Sequence, residues 1–323
     1  MAQLNMVEAI NLALKQEMKK DKTILILGED VGIDGGVFRV TEGLLKAYPG
    51  RVFDTPLAEA AIVGTSIGLA CSGFKPVAEI QFEGFTLPAF DQIVNHAARI
   101  RNRSRGRFTV PLVIRSPIGG GIKALEHHSD SPETYYVHTP GIKVVMPSTP
   151  YDAKGLMVSA IQDPDPVIFF EPKRIYRAIK QEVPEKEYSI PLGKAKIVQE
   201  GTDVTVISYG ATVRECEQAS ALLKEHVSME IIDLRTLSPM DTETILSSVK
   251  KTGRVVIAHE AQRTLGMAAE IGMRIQEQAL LYLKAPIERV TGYDIIVPLP
   301  KLEDYYFVDE KRIAQAVEKV MNF

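Results

Sequence analysis

The chain has 323 residues, a length that favours two domains at roughly 100–200 residues each. With 45% hydrophobic and 24% charged residues and a mean hydropathy of -0.01, it is ordinary globular material, which excludes disordered, collagen-like and coiled-coil classes. A net charge of -3, with no basic run longer than Lys250-Lys251, argues against general nucleic-acid affinity.

In chain order, Met6, Ile10, Leu14 and Met18 recur every four residues, so 5 to 20 reads as a helix with one apolar stripe. A strand follows at 23 to 28. Further strands are read at 75 to 82, 111 to 117, 142 to 149 and 166 to 172, alternating with helices at 58 to 73, 88 to 104 and 151 to 163. AAIVGTSIGLAC at 60 to 71 is too short to span a bilayer. Residues 173 to 202 are charged and proline-bearing and read as a surface connection between domains. Strands at 203 to 210, 229 to 235 and 254 to 260 then alternate with helices at 211 to 226, 241 to 252 and 266 to 283, and a last helix covers 309 to 321. Nearly continuous apolar strands between helices imply an α/β chain of two mainly parallel sheets, each covered on both faces. The domains are expected at 1–185 and 186–323. Cys71 and Cys216 are the only cysteines, which leaves no disulfide scaffold or zinc site and fits a reducing, cytoplasmic setting.

Three motifs suggest chemistry that their context opposes. GTSIG at 64 to 68 matches the nucleophile elbow of a serine hydrolase, with Ser66 as nucleophile and His259 downstream. An elbow needs a strand before the serine, yet AEAAIV reads as helix, and close helix packing through small residues is favoured. GGGIKA at 119 to 124 matches G-x-G-x-x-A, but EHHSDSP follows, leaving no helix N-terminus for a pyrophosphate. His127-His128 could ligate a metal, though neighbouring residues point apart and no Cys or further His sits at ligand spacing.

Three segments are harder to explain as packing. LGED at 27 to 30 puts two carboxylates after a buried strand, where parallel sheets gather ligands. DTPLAE at 54 to 59 places Glu59 in the first turn of a helix whose next residues are small and apolar. It is either a stabilising first-turn charge or a carboxyl held in a dry cleft with a raised pKa. SPIGGGIKALEHHSD at 116 to 130 is glycine-rich and then histidine-bearing, suited to a mobile mouth over a substrate.

These segments, together with RVFDTPLAE, GFKPVAEIQF, IRSPIGGG, HSDSPE, PGIKVVMPSTPYDAKGL, DPDPVIFFEPK and KTGRVVIAHEA, are ordered as in one family. The chain resembles, over about 4 to 323, the β chain of the thiamine-diphosphate-dependent 2-oxo acid dehydrogenase components. The resemblance implies a transketolase-like pyrimidine-binding domain followed by a transketolase C-terminal-like domain. It also implies that Glu59 shares a proton with the aminopyrimidine of thiamine diphosphate, that Phe85 stacks on that ring, and that Gln81 and Leu57 line its pocket. By the same resemblance, His128 assists substrate handling and reductive acylation of a lipoyl group, and Glu29 links two active sites through a proton path. Leu112, Ala160, Asp163 and Asp165 match a structural potassium site built mostly from carbonyls.

Thiamine-diphosphate enzymes of this kind hold magnesium and the diphosphate on a GDG segment followed by an asparagine. The chain has no GDG anywhere. A separate α subunit is therefore expected to bring the magnesium ligands, in a heterotetramer of two α and two β chains. The second domain, with the terminal MNF near it, is expected to dock a dihydrolipoyl acyltransferase core. SPETYYVHTPGIKVV, FFEPKRIYR and VTGYD resemble branched-chain members, whereas MAQLNMVEAI and GGVFRVTEGL resemble pyruvate members. The sequence leans slightly to branched-chain or broad specificity, with acetoin dehydrogenase β subunit and, in a different class, a Ser66 hydrolase as alternatives.

Overall fold

The computed structural model describes residues 1–323. A seven-stranded sheet runs in the order Thr236–Ser238, Lys143–Val145, Val167–Pro172, Val113–Ile118, Lys75–Glu79, Ile24–Gly28, Val52–Asp54. All its pairings are parallel except the first, which is antiparallel. A five-stranded sheet runs Glu288–Gly292, Val255–Gln262, Val204–Ser208, Met229–Asp233, Lys196–Gln199, parallel but for the last strand. Every residue of Ile24–Gly28, Val167–Pro172 and Val204–Ser208 is buried, as strands covered on both faces must be.

The helices form where local chemistry favours them. Met6–Lys20 starts with a capping box between Asn5 and Glu8, ends on Lys19 and Lys20, and buries Met6, Ile10, Leu14 and Met18. It packs on Pro150–Gln162, which begins with a Thr149 cap and a first-turn proline. No helix is long and apolar enough to cross a membrane.

The two halves share one core. Its largest cluster runs from Ile62 and Ile114 to Ile257 and Ile271, and Thr236–Ser238, beyond the second half's first strands, completes the edge of the first half's sheet. Residues 173 to 202 are more than a surface connection. Gln181–Val183 pairs with Ala2–Leu4, Lys196–Gln199 is the edge strand of the second sheet, and Tyr176, Val183 and Ile190 are buried. Edge strands tolerate charge on their open side, which gave this stretch its linker-like composition. The helix expected at 88 to 104 is divided into a π-helical Gln92–Ala97 and a short Ile100–Arg103. The break falls where Gly141 backs onto the Ala98 carbonyl, an approach that leaves no room for a side chain.

Candidate functional site

Four neighbouring parallel strands deliver the suspected residues to one edge. Gly28, Asp54 and Glu79 stand in register at the carboxyl ends of their strands, and Glu79 pairs with Arg115 on the fourth. Glu29, Glu59, Gln81 to Phe85, and the 119 to 130 loop all leave from these ends, the place where open parallel sheets collect ligands.

Asp54 braces this edge by accepting the backbone N–H of Gly32 at 2.6 Å and of Ile33 at 3.1 Å. Gln81 Nε2 donates to Asp30 Oδ2 at 2.9 Å, tying two of the loops together. Glu59 is the first residue of the helix Glu59–Cys71 and is 8% exposed, while Leu57 just before it is 79% exposed. Glu29 is also buried, and its Oε1 has no hydrogen-bond partner. Burial, then the charges of Glu59 and Asp30, push its carboxyl up to about 7. The Glu59 carboxylate thus raises that of Glu29 at the mouth of the sheet, and Glu29 keeps an unused acceptor.

An aromatic group follows Gln81 on the loop that its bond to Asp30 ties to this edge. The His128 ring lies 4.3 Å from Phe82 and 5.1 Å from Phe85, centroid to centroid. Phe85 and His128 are only partly buried, so both keep a face toward the opening. His128 Nδ1 is 2.8 Å from the Glu126 carbonyl oxygen. His127 points elsewhere, its Nδ1 3.9 Å from Asp130 Oδ2, so the pair does not converge on one ligand.

The 116 to 130 loop departs from the mobile mouth expected of it. The N–H of Gly120 donates to Glu260 Oε1 at 2.7 Å, and the N–H groups of Gly121 and Lys123 donate to Glu303 at 3.0 Å each. Carboxylates from the second half of the chain occupy the amides that a phosphate would need. Glu260 lies in the quoted VVIAHEA segment, but Glu303 lies in an aperiodic stretch that gave no signal. Phe82 was likewise missed as the aromatic nearest His128.

Ser66 sits inside a helix, fully buried, with Oγ donating to the Ile62 carbonyl at 2.7 Å. His259 is buried in the other sheet, its Nε2 accepting the Ala268 N–H, and burial lowers its pKa to about 4. The elbow reading therefore has neither an exposed nucleophile nor a base beside it. Gly64 packs on Gln92 while Gly68 faces open space, so only one of the two glycines serves the expected close packing.

At the residues matched to potassium, Asp163 accepts two bonds from Lys143 Nζ at 2.6 and 2.7 Å, and Asp165 pairs with Arg101 at 2.9 Å. The Leu112 and Ala160 carbonyls already accept from Val167 and Asp163. These aspartates are neutralised by cationic side chains, so their carboxylates do not fit a potassium ion. Only free lone pairs of carbonyls remain for one.

Comparison with known proteins identifies the same two domains. Residues 2–179 match "Transketolase, pyrimidine binding domain" and residues 193–313 match "Transketolase, C-terminal domain". The chain is 57% identical to the pyruvate dehydrogenase E1 component subunit beta of Acholeplasma laidlawii over 99% of this chain and 98% of that one. It is 50% identical to that of Bacillus subtilis over the whole of both. A split-gene transketolase, described as an inactive beta4 tetramer, shares the fold with a TM-score of 0.81 at 22% identity, covering 99% of each chain. The chain belongs to the β subunits of the thiamine-diphosphate-dependent 2-oxo acid dehydrogenase E1 components, subunits built of two transketolase-like domains of this kind.

Proposed function

We infer that this chain is the β half of a pyruvate-decarboxylating E1 enzyme, active with an α subunit in a heterotetramer of two α and two β chains. The observation that carries the reading is the meeting of Glu29 and Glu59 at the sheet edge, next to a loop tied to Asp30 by Gln81 that carries Phe85 against His128, in a chain without a GDG segment. The orphaned Glu29 oxygen and the half-open aromatic shelf fit an aminopyrimidine. When bound, thiamine diphosphate supplies the acidic thiazolium carbon and the electron sink for decarboxylation.

This chain's residues then have separate tasks. Glu59 holds a proton toward the pyrimidine nitrogen, its buried setting strengthening that bond. Phe85 offers a stacking face, with Gln81 and Leu57 on the pocket wall. Glu29 stores a proton beside Glu59. His128 donates to the substrate carboxylate or to the departing lipoyl sulfur. Magnesium belongs to the α subunit, whose oxygens would fix it and the diphosphate. The pyrimidine-binding domain is taken as 1–185 and the C-terminal domain, which would dock the acyltransferase core, as 186–323, in a cytoplasmic complex.

Pyruvate is preferred because the relatives carry that name, and because Tyr136, Phe169 and Phe170 of the branched-chain-like segments serve packing, whereas Tyr135 and Tyr293 of those segments stay exposed. Tyr136 is buried with its hydroxyl on Thr86 Oγ1 at 2.6 Å, and Phe169 and Phe170 are core residues. The test is turnover by the reconstituted α and β pair with thiamine diphosphate and magnesium. Pyruvate is expected to turn over faster than 3-methyl-2-oxobutanoate, and Glu59→Gln should lower kcat at least about 100-fold. Normal decarboxylation by that variant overturns the mechanism, and faster turnover of the branched acid or of acetoin overturns the substrate.

A further inference from the structure

Gly119, Gly121 and Lys123 take positive φ values of 77°, 91° and 56°. These turns aim the amides of Gly120, Gly121 and Lys123 at carboxylates of the second domain, forming the kind of backbone nest that otherwise binds anions. Glu303 is 1% exposed and accepts from two of the amides with its two oxygens. Glu260 takes the third and lies 3.6 Å from Arg174. Side chains at Gly120 or Gly121 would run into Phe307 or Arg174, so the fit excludes alternatives to glycine.

The nest is the root of the loop that carries His128. The Gly119 N–H donates to the Asp130 carbonyl at 3.0 Å, closing the loop at its base. At its far end the His127 backbone abuts Gly84, next to Phe85. Between these points Leu125 shares a narrow cleft with Ile296 and Leu299 of the second domain. The loop is therefore held at its root by Glu260 and Glu303, and His128 lies against Phe82 and Phe85 toward its far end.

We propose that Glu303, with Glu260 as companion, is a positioning residue: the second domain sets the place of His128 by filling the amide nest at the root of its loop. This rests on the role given to His128 above. The carboxylate is needed because both of its oxygens accept. A glutamine keeps one acceptor and turns an NH2 toward the other amide, so one buried bond is lost and the loop is released.

The test uses the assembled α and β enzyme with Glu303→Gln and, to remove the single acceptor of the Gly120 amide, Glu260→Ala. Hydrogen exchange of the peptide spanning 118 to 131 should quicken at least about tenfold in each variant. Acylation of a lipoyl domain should slow roughly 10- to 100-fold at saturating 2-oxo acid, with little change in KM, as misplacement of a reacting group does. Adding Glu303→Gln to His128→Gln should cost little further, because Glu303 acts only through His128. Unchanged exchange, or losses that add in the double variant, overturns the proposal. Should Glu303→Gln fail to assemble, Glu260→Ala removes the acceptor of the Gly120 bond of the same nest and decides the matter by the same measurements. An inactive wild-type pair would sink the functional reading, while the exchange comparison would still judge the latch.

Discussion

Arg115 grips Glu171 through two parallel hydrogen bonds, Nε to Oε1 at 2.7 Å and Nη2 to Oε2 at 2.8 Å. Its third nitrogen pairs with Glu79, and the Tyr176 hydroxyl donates to Glu171 Oε2 at 2.6 Å. All four residues are buried in or against the sheet that bears the site. The flanking carboxylates lift the Arg115 pKa against the effect of burial, so the guanidinium stays charged. Arg115→Met would strand two carboxylates in the interior. We expect a loss of about 3–5 kcal/mol, read by denaturant unfolding, and a loss below about 1 kcal/mol would contradict the account of this network.

Glu29 gives the fold a pH signature. Its carboxyl rises from the ordinary range to about 7 on folding, chiefly through burial and then through Glu59 and Asp30. A carboxyl raised in this way binds its proton more tightly folded than unfolded. It costs nothing at low pH, where both states are protonated, and destabilises progressively as pH rises from the usual carboxylate range toward 7. Glu29→Gln should therefore raise the Tm at pH 8 and leave it nearly unchanged at pH 4. Equal effects at both values would exclude the assigned cause.

Ser66 is expected to be dispensable. Its hydroxyl makes one bond to the Ile62 carbonyl inside a helix, worth about 0.5–1.5 kcal/mol. Ser66→Ala should retain full 2-oxo acid turnover with the α subunit, and the chain should resist fluorophosphonate labelling. Labelling at Ser66 would restore the hydrolase alternative.

What could be read from the sequence depended on whether the determining interactions were local. Met6–Lys20 was legible from its spacing, although the Asn5–Glu8 capping box that starts it was not read. Glu29, Glu59 and the histidine loop were legible because each follows an apolar strand, and strand ends of parallel sheets meet. Thr236–Ser238 was not, because three residues carry no period and its partner Lys143–Val145 is about ninety residues earlier. The pinning of the glycine loop was illegible for the same reason. Glycines signal freedom of φ, and only the fold brings Glu303 across to remove that freedom.

Leu57 offers the last test, of the missing half. It is 79% exposed, two residues from buried Glu59, and Ile33 and Phe53 near the same sheet edge are exposed as well. Apolar side chains left open beside a buried carboxylate suit an interface, where central apolar anchors carry most of the binding energy. In the isolated chain they stabilise little, so Leu57→Ser should change its unfolding free energy by no more than about 0.5 kcal/mol. Against the α subunit the same change should weaken association at least about tenfold, equivalent to about 1.4 kcal/mol. Titration of α into wild-type and variant β, followed by sedimentation, separates the two effects. Undiminished affinity would move the interface away from this edge, and with it the place where the α subunit completes the site.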